Sequence, residues 1–304
     1  MASFDIVAVP TGIPLPPTGA DADSAVIESA RSGFASDLMS RAARPNVLPA
    51  KVIPVSERLI FPLDVPTWDE AKALVETLGD TVQFYKLGLQ LLVAAGSPGY
   101  YDMASWLAKD CGKKVMADLK MFDISRTVAA AVKSMRGSGA EFVTVHGNDN
   151  MLKAAADAKD GSIKVLAVTV LTSITEEEQR QFGFQGSIKE LVLSRAKRAL
   201  ELQCDGVVSS GMEVPALRQL LGDRFAIVVP GVRPGVNDEV GDLQVQGDDQ
   251  QRTATIHRAF DDGADYIVVG RPIRHAKDPK DAATRIQGSI KAWFDKNPVG
   301  SPHP

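Results

Sequence analysis

From Arg58 onward, short apolar runs alternate with amphipathic stretches. The runs are Leu59–Leu63, Val82–Tyr85, Lys114–Ala117, Phe142–Val145, Val165–Val170, Gly206–Val208, Ala226–Val229 and Tyr266–Val269. They are continuous and mostly rich in Val, Ile and Leu rather than alternating apolar with polar, as strands buried on both faces are. Between them, helical periodicity marks Trp68–Leu78, Thr127–Met135, Lys189–Glu201, Pro215–Leu221 and Thr253–Asp261. Thr67 with Glu70 three positions later predicts a capping box at the first of these. Eight strand–helix repeats predict an α/β protein built as a single (β/α)8 TIM barrel. An open doubly wound sheet is the alternative, because pattern alone does not establish closure. Gly137-Ser138-Gly139 precedes a strand instead of following one and so is no dinucleotide fingerprint.

Residues 1–57 differ. Pro10, Pro14, Pro16 and Pro17 sit among small residues, and periodicity starts only at Ser24. A helix is expected over 24–44, with Ile27, Ala30, Phe34 and Leu38 on one face and Gly33 weakening it by about 1 kcal/mol relative to Ala. The division expected is an amino-terminal extension over 1–57, a barrel over 58–295 and a tail over 296–304. The extension reads either as a segment packed on the barrel or as a partner-binding helix.

Composition narrows the function. The chain has 304 residues, 44% hydrophobic and 24% charged, enough for a large core without staples. Its net charge of −4 gives no basic excess, so a nucleic-acid or anionic-membrane partner is not expected. Cys111 and Cys204 are far apart and in no CxxC, which argues against a disulfide framework or a cysteine zinc site. Four acidic residues precede the first basic one, Arg31, and no apolar run approaches the roughly 18–20 residues of a bilayer span. A cytoplasmic location is therefore expected.

In a barrel enzyme chemistry sits where strands end. Those positions carry Asp64, Lys86, Asp118 with Lys120, His146, Thr172 with Ser173, Ser209 with Ser210, Arg233, and Gly270 with Arg271. Asp118 and Lys120 are two apart and share a face if the strand's alternation persists. A carboxylate and an ammonium in a dry cavity are costly unless paired. Taken alone, they read equally well as a structural ion-pair network. Asp123 lies beyond the strand and is expected to point elsewhere. At the eighth strand, Gly270 would let a phosphate approach the backbone and Arg271 adds a fork of donors. Pro230-Gly231-Val232-Arg233-Pro234-Gly235 opens a long loop suited to a mobile gripper. Together these favour a phosphorylated ligand. No histidine pair has metal-ligand spacing, and His146 reads first as a hydrogen-bonded structural residue.

The segment Asp118-Leu-Lys120-Met-Phe-Asp123-Ile, the stretch Val168–Ser173, Pro230–Pro234 and Val268–Ile273 resemble the orotidine 5′-phosphate decarboxylase family, from about Leu59 to about Ile290. That resemblance implies metal- and cofactor-independent decarboxylation of orotidine 5′-phosphate to uridine 5′-phosphate by a homodimer. It implies that Asp64 and Lys86 contact the ribose, and that Lys86, Asp118, Lys120 and Asp123 form an alternating charge network with Lys120 as proton donor. Asp123 and Thr127 would be lent across the dimer. Thr172 with Ser173 would read the pyrimidine, and Arg233, Gln250, Gly270 and Arg271 would hold the phosphate. Two departures stand out. The chain between Arg233 and Gln250 is long for the family and holds five acids: Asp238, Glu239, Asp242, Asp248 and Asp249. Acids near a phosphate are unhelpful unless they face solvent. Gln244, Gln246 and Gln251 compete with Gln250. The rival enzyme is one resembling 3-keto-L-gulonate-6-phosphate decarboxylase, which needs a magnesium-binding carboxylate where Lys86 stands. The rival from another class is a non-catalytic nucleotide-binding barrel.

Overall fold

The computed structural model describes residues 52–94, 98–223, 225–235, 238, 240, 243 and 252–297. The helix expected over 24–44, Gln250 and most of the acidic loop lie outside the described residues. The strands are β1 (Leu59–Pro62), β2 (Phe84–Leu87), β3 (Lys114–Met121), β4 (Phe142–Val145), β5 (Lys164–Val168), β6 (Gly206–Val208), β7 (Ala226–Val229) and β8 (Tyr266–Val268). Each pairs in parallel with the next, and β8 returns to β1 through Leu59↔Ile267 and Ile60↔Val268. The sheet is closed, which removes the open-sheet alternative.

Side chains at alternate positions point inward and fill the barrel. Ile60, Phe84, Met116, Phe142, Leu166, Val228 and Tyr266 belong to one buried cluster. Phe84, Phe142 and Tyr266 meet with ring centroids 5.4–5.7 Å apart and form an aromatic plug. The outward residues are buried as well, beneath helices, so β1, β4 and β7 have no exposed position. This two-sided burial is why the strands read as unbroken apolar runs.

At the amino-terminal end, Ile53 packs on the interior cluster. Above it Glu57, Lys114, Glu141 and Lys164 form a line of ion pairs of 2.7, 2.9 and 2.9 Å across the starts of β3, β4 and β5.

Several boundaries moved. Strand β2 begins two residues later than its apolar run and takes in Lys86. Strand β3 runs on to Met121, past Asp118 and Lys120. The helix expected from Thr127 starts at Ser125, and the one expected from Thr253 starts at Ile256, because Ala254 bridges to Val232 and Thr255 caps the helix. At Thr67 only half of the capping box forms: its hydroxyl accepts from the Glu70 amide and donates to the Glu70 carboxylate. Complete boxes stand at Thr175/Glu178 and Ser187/Glu190. Among the described residues no helix is long and apolar enough to cross a membrane.

Candidate active site

Strands β2 and β3 deliver a connected line of charge to the carboxyl end of the barrel. Lys86 Nζ lies 3.2 Å from Asp64 Oδ1 and 3.2 Å from Asp118 Oδ2. Lys120 Nζ lies 2.8 Å from the same Asp118 oxygen. Asp118 therefore accepts from two ammonium groups, and its other oxygen accepts from the Thr144 hydroxyl at 2.9 Å. Burial pushes the Asp118 carboxyl upward, but Lys86, Lys120 and the hydrogen bonds outweigh it and hold its pKa below the usual value. Burial likewise works against the Lys86 ammonium, and Asp118 and Asp64 reverse the effect and raise its pKa. Both groups thus stay charged across the neutral range. Gly88 makes room for the pair, since a Cβ there would stand 2.8 Å from Asp64 Oδ1 and 3.1 Å from Lys86 Nζ.

Backbone irregularity aims Lys120. The β3–β4 register shifts between Ala117 and Met121, and Lys120 has φ +46°, in the left-handed region that costs a non-glycine residue about 1–3 kcal/mol. Simple alternation therefore does not carry Lys120 to Asp118, as the sequence pattern had suggested. Thr144 holds the turn instead: its hydroxyl oxygen accepts from the Lys120 amide at 2.8 Å while donating to Asp118. Thr144 sits fully buried in the middle of an apolar strand, and that lone hydroxyl was the available signal for a residue the sequence reading missed. Tyr100 was missed too. Its hydroxyl donates to the Leu87 carbonyl at 2.6 Å, at the end of the β2–β3 pairing.

These groups open into a cavity of about 490 Å³. Asp64, Lys86, Asp118, Lys120, Thr172, Ser173, Arg233, Gly270 and Arg271 all line it, as the sequence had grouped them. Ser209 and Arg274 join them; Arg274 also donates to the Asp64 carbonyl. Five cations (Lys86, Lys120, Arg233, Arg271, Arg274) face two carboxylates (Asp64, Asp118), which suits an anionic ligand. A Cβ on Gly270 would come within 2.6 Å of Pro62 Cγ, so strand packing as well as ligand access calls for glycine there. Among the described residues there is no cluster of three or more His, Cys, Asp or Glu able to hold a metal.

Asp123, Thr127 and His146 stand apart from this cavity. Asp123 and Thr127 are exposed and do not line the cavity of their own chain; Asp123 Oδ1 accepts from the Ile124 amide. His146 faces a neighbouring apolar cavity instead, edge-on to Phe122 at 5.9 Å, and among the described residues its ring has no hydrogen-bond partner. Burial, then Arg195 and Lys120, lower its pKa, so it is neutral at pH 7. One acid of the long loop is held away from solvent. Asp238 is fully buried, not solvent-facing, and accepts from the amides of Gly235, Ile256 and His257 at 2.7, 3.0 and 3.0 Å. It caps a helix start and pins the loop's beginning.

Comparison with known proteins agrees with this fold. A family model described as "Orotidine 5'-phosphate decarboxylase / HUMPS family" matches residues 57–286. An orotidine 5′-phosphate decarboxylase from Methylococcus capsulatus is 52% identical over 251 residues, covering 82% of this chain and 98% of the relative. One from Xanthomonas euvesicatoria is 46% identical, covering 85% and 99%. The crystal structure of the Lactobacillus acidophilus orotidine 5′-phosphate decarboxylase superposes with a TM-score of 0.64 at 35% identity, covering 79% of this chain and 99% of that one. The match runs through all eight strands, and this chain belongs to the orotidine 5′-phosphate decarboxylase / HUMPS family.

Proposed function

We propose that this chain decarboxylates orotidine 5′-phosphate to uridine 5′-phosphate, with Lys120 as the group that meets the developing charge. The observation that carries this reading is the Asp64–Lys86–Asp118–Lys120 line, which ends in a cation fixed at the wall of a cation-rich cavity. When the bond between C6 and the carboxylate breaks, its electron pair stays on C6, where little delocalisation is available. A fixed ammonium at that point stabilises the carbanion without reorganising. Lys120 then gives its proton to C6 and is left as a neutral amine. Asp118 crowds the departing carboxylate and keeps Lys120 in place.

The remaining contacts hold the ligand. Asp64 and Lys86 take the ribose hydroxyls, Thr172 and Ser173 the pyrimidine, and Arg233, Gln250, Gly270 and Arg271 the phosphate. Phosphate binding far from C6 contributes energy that closes the site around the ring. The exposed Asp123 and Thr127 fit a homodimer in which each chain lends them to its partner's cavity. The catalytic unit is the barrel over 58–295, acting in the cytoplasm.

The test is the absorbance change of orotidine 5′-phosphate on adding the protein with EDTA present. Conversion to uridine 5′-phosphate is expected. A requirement for magnesium would support the sugar-phosphate rival, and tight binding of uridine 5′-phosphate without turnover would support a binding protein.

A further inference from the structure

Arg252 lies where the described chain resumes after the long acidic loop, and it is buried. Its Nη1 lies 2.7 Å from Glu213 Oε1, with both side chains at most 10% exposed. Its Nη2 donates to the Leu171 carbonyl at 3.0 Å and, more weakly, to that of Val170 at 3.4 Å. The carbonyl just before these, that of Thr169, accepts from Arg195. Three consecutive carbonyls are thus taken by arginines immediately before Thr172 and Ser173. The loop carrying those two residues is held by its backbone while their side chains remain at the cavity.

The other side of Arg252 leads to Arg233. Ala254, two residues on, bridges to Val232, and its carbonyl accepts from the Arg233 amide at 2.9 Å. Gly211 permits this arrangement, since a Cβ there would stand 2.5 Å from that of Ala254. The same close approach brings the short turn Gly211–Glu213 beside Arg252. A planar guanidinium can serve a carboxylate and neighbouring carbonyls together, whereas an ammonium is a point charge.

We propose that Arg252 is a positioning residue that locks the segment bearing Arg233 to the loop bearing Thr172 and Ser173. The phosphate end and the base end of the ligand are thereby held in one register. The inference rests on the proposed function, which assigns Arg233 to phosphate and Thr172 to the pyrimidine. Arg252 itself lines neither cavity.

The test is a double-mutant cycle on uridine 5′-phosphate affinity, read by titration calorimetry, with Arg233→Ala and Thr172→Ala. In the parent chain the combined loss is expected to differ from the product of the single losses by about fivefold or more, as for coupled sites. With Arg252→Met and Glu213→Leu together, which removes both buried charges without stranding either, the losses should multiply to within about twofold. In that variant kcat should fall along with affinity, with the thermal transition retained. Arg252→Lys, which keeps a charge opposite Glu213 but loses the fork, serves if the pair variant does not fold. Coupling that survives in the variant, or independence already in the parent, would overturn the proposal. A parent chain that shows the coupling but does not turn over orotidine 5′-phosphate would instead refute the proposed function.

Discussion

Among the described residues, a line of four charges of alternating sign stands at each end of this barrel. At the amino end Glu57, Lys114, Glu141 and Lys164 pair at 2.7, 2.9 and 2.9 Å. At the carboxyl end Asp64, Lys86, Asp118 and Lys120 pair at 3.2, 3.2 and 2.8 Å. By distance the amino-end line is the tighter. Burial separates their middle members: the side chains of Lys86 and Asp118 are 12% and 7% exposed, whereas those of Lys114 and Glu141 are 34% and 21%. Water shares the work of solvating the first line throughout, while the middle of the second must satisfy itself and needs Thr144 to do so. The amino-end line also finishes in solvent, and the carboxyl-end line finishes at a cavity. Alternating charge alone therefore does not mark a site; desolvation and a free direction for the last charge do.

The sharpest way to break this comparison is to remove the last cation of each line. Lys120→Ala is expected to lower kcat by at least about 10³-fold, the scale of losing a preorganised electrostatic group, with the fold intact by circular dichroism. Near-normal decarboxylation by that variant would end the assignment of Lys120. Thr144→Val has a smaller effect. It removes the hydroxyl shared by the Lys120 amide and Asp118, so stability should fall by about 1–3 kcal/mol and kcat by roughly tenfold, measured by urea unfolding and steady-state kinetics. Unchanged kcat would mean that the left-handed backbone at Lys120 holds itself. Lys164→Ala should do least: turnover unchanged and stability lowered by at most about 1 kcal/mol, a difference that added salt erases. A larger, salt-resistant loss would place the amino-end line among buried networks and dissolve the contrast.

Much of this was legible in the residues. The bounds of β4, β6 and β7 coincide with their apolar runs, because each is buried on both sides and nothing charged interrupts it. The runs at β2 and β3 misled for the opposite reason. Lys86, Asp118 and Lys120 look like strand ends by polarity, yet they remain in the sheet because each finds a partner there, and pairing is a tertiary fact. The cavity's members were readable because a barrel sends the ends of its strands to one place. Thr144, Tyr100 and Arg252 were not, since each acts through contacts with residues distant in sequence. The burial of Asp238 was not legible either, because the three backbone amides that converge on it come together only in the fold.

Strand β3 has one more consequence. Lys120 belongs to the sheet, carried there by a register shift instead of by a loop. A surface loop can lengthen at little entropic cost, and here the chain between Arg233 and Arg252 is long and acidic. Because Lys120 is anchored to the barrel wall, changes in such a loop leave its aim undisturbed. The architecture thus separates what can drift from what cannot, and the rim of the barrel is open to variation while the chemistry below it stays in place.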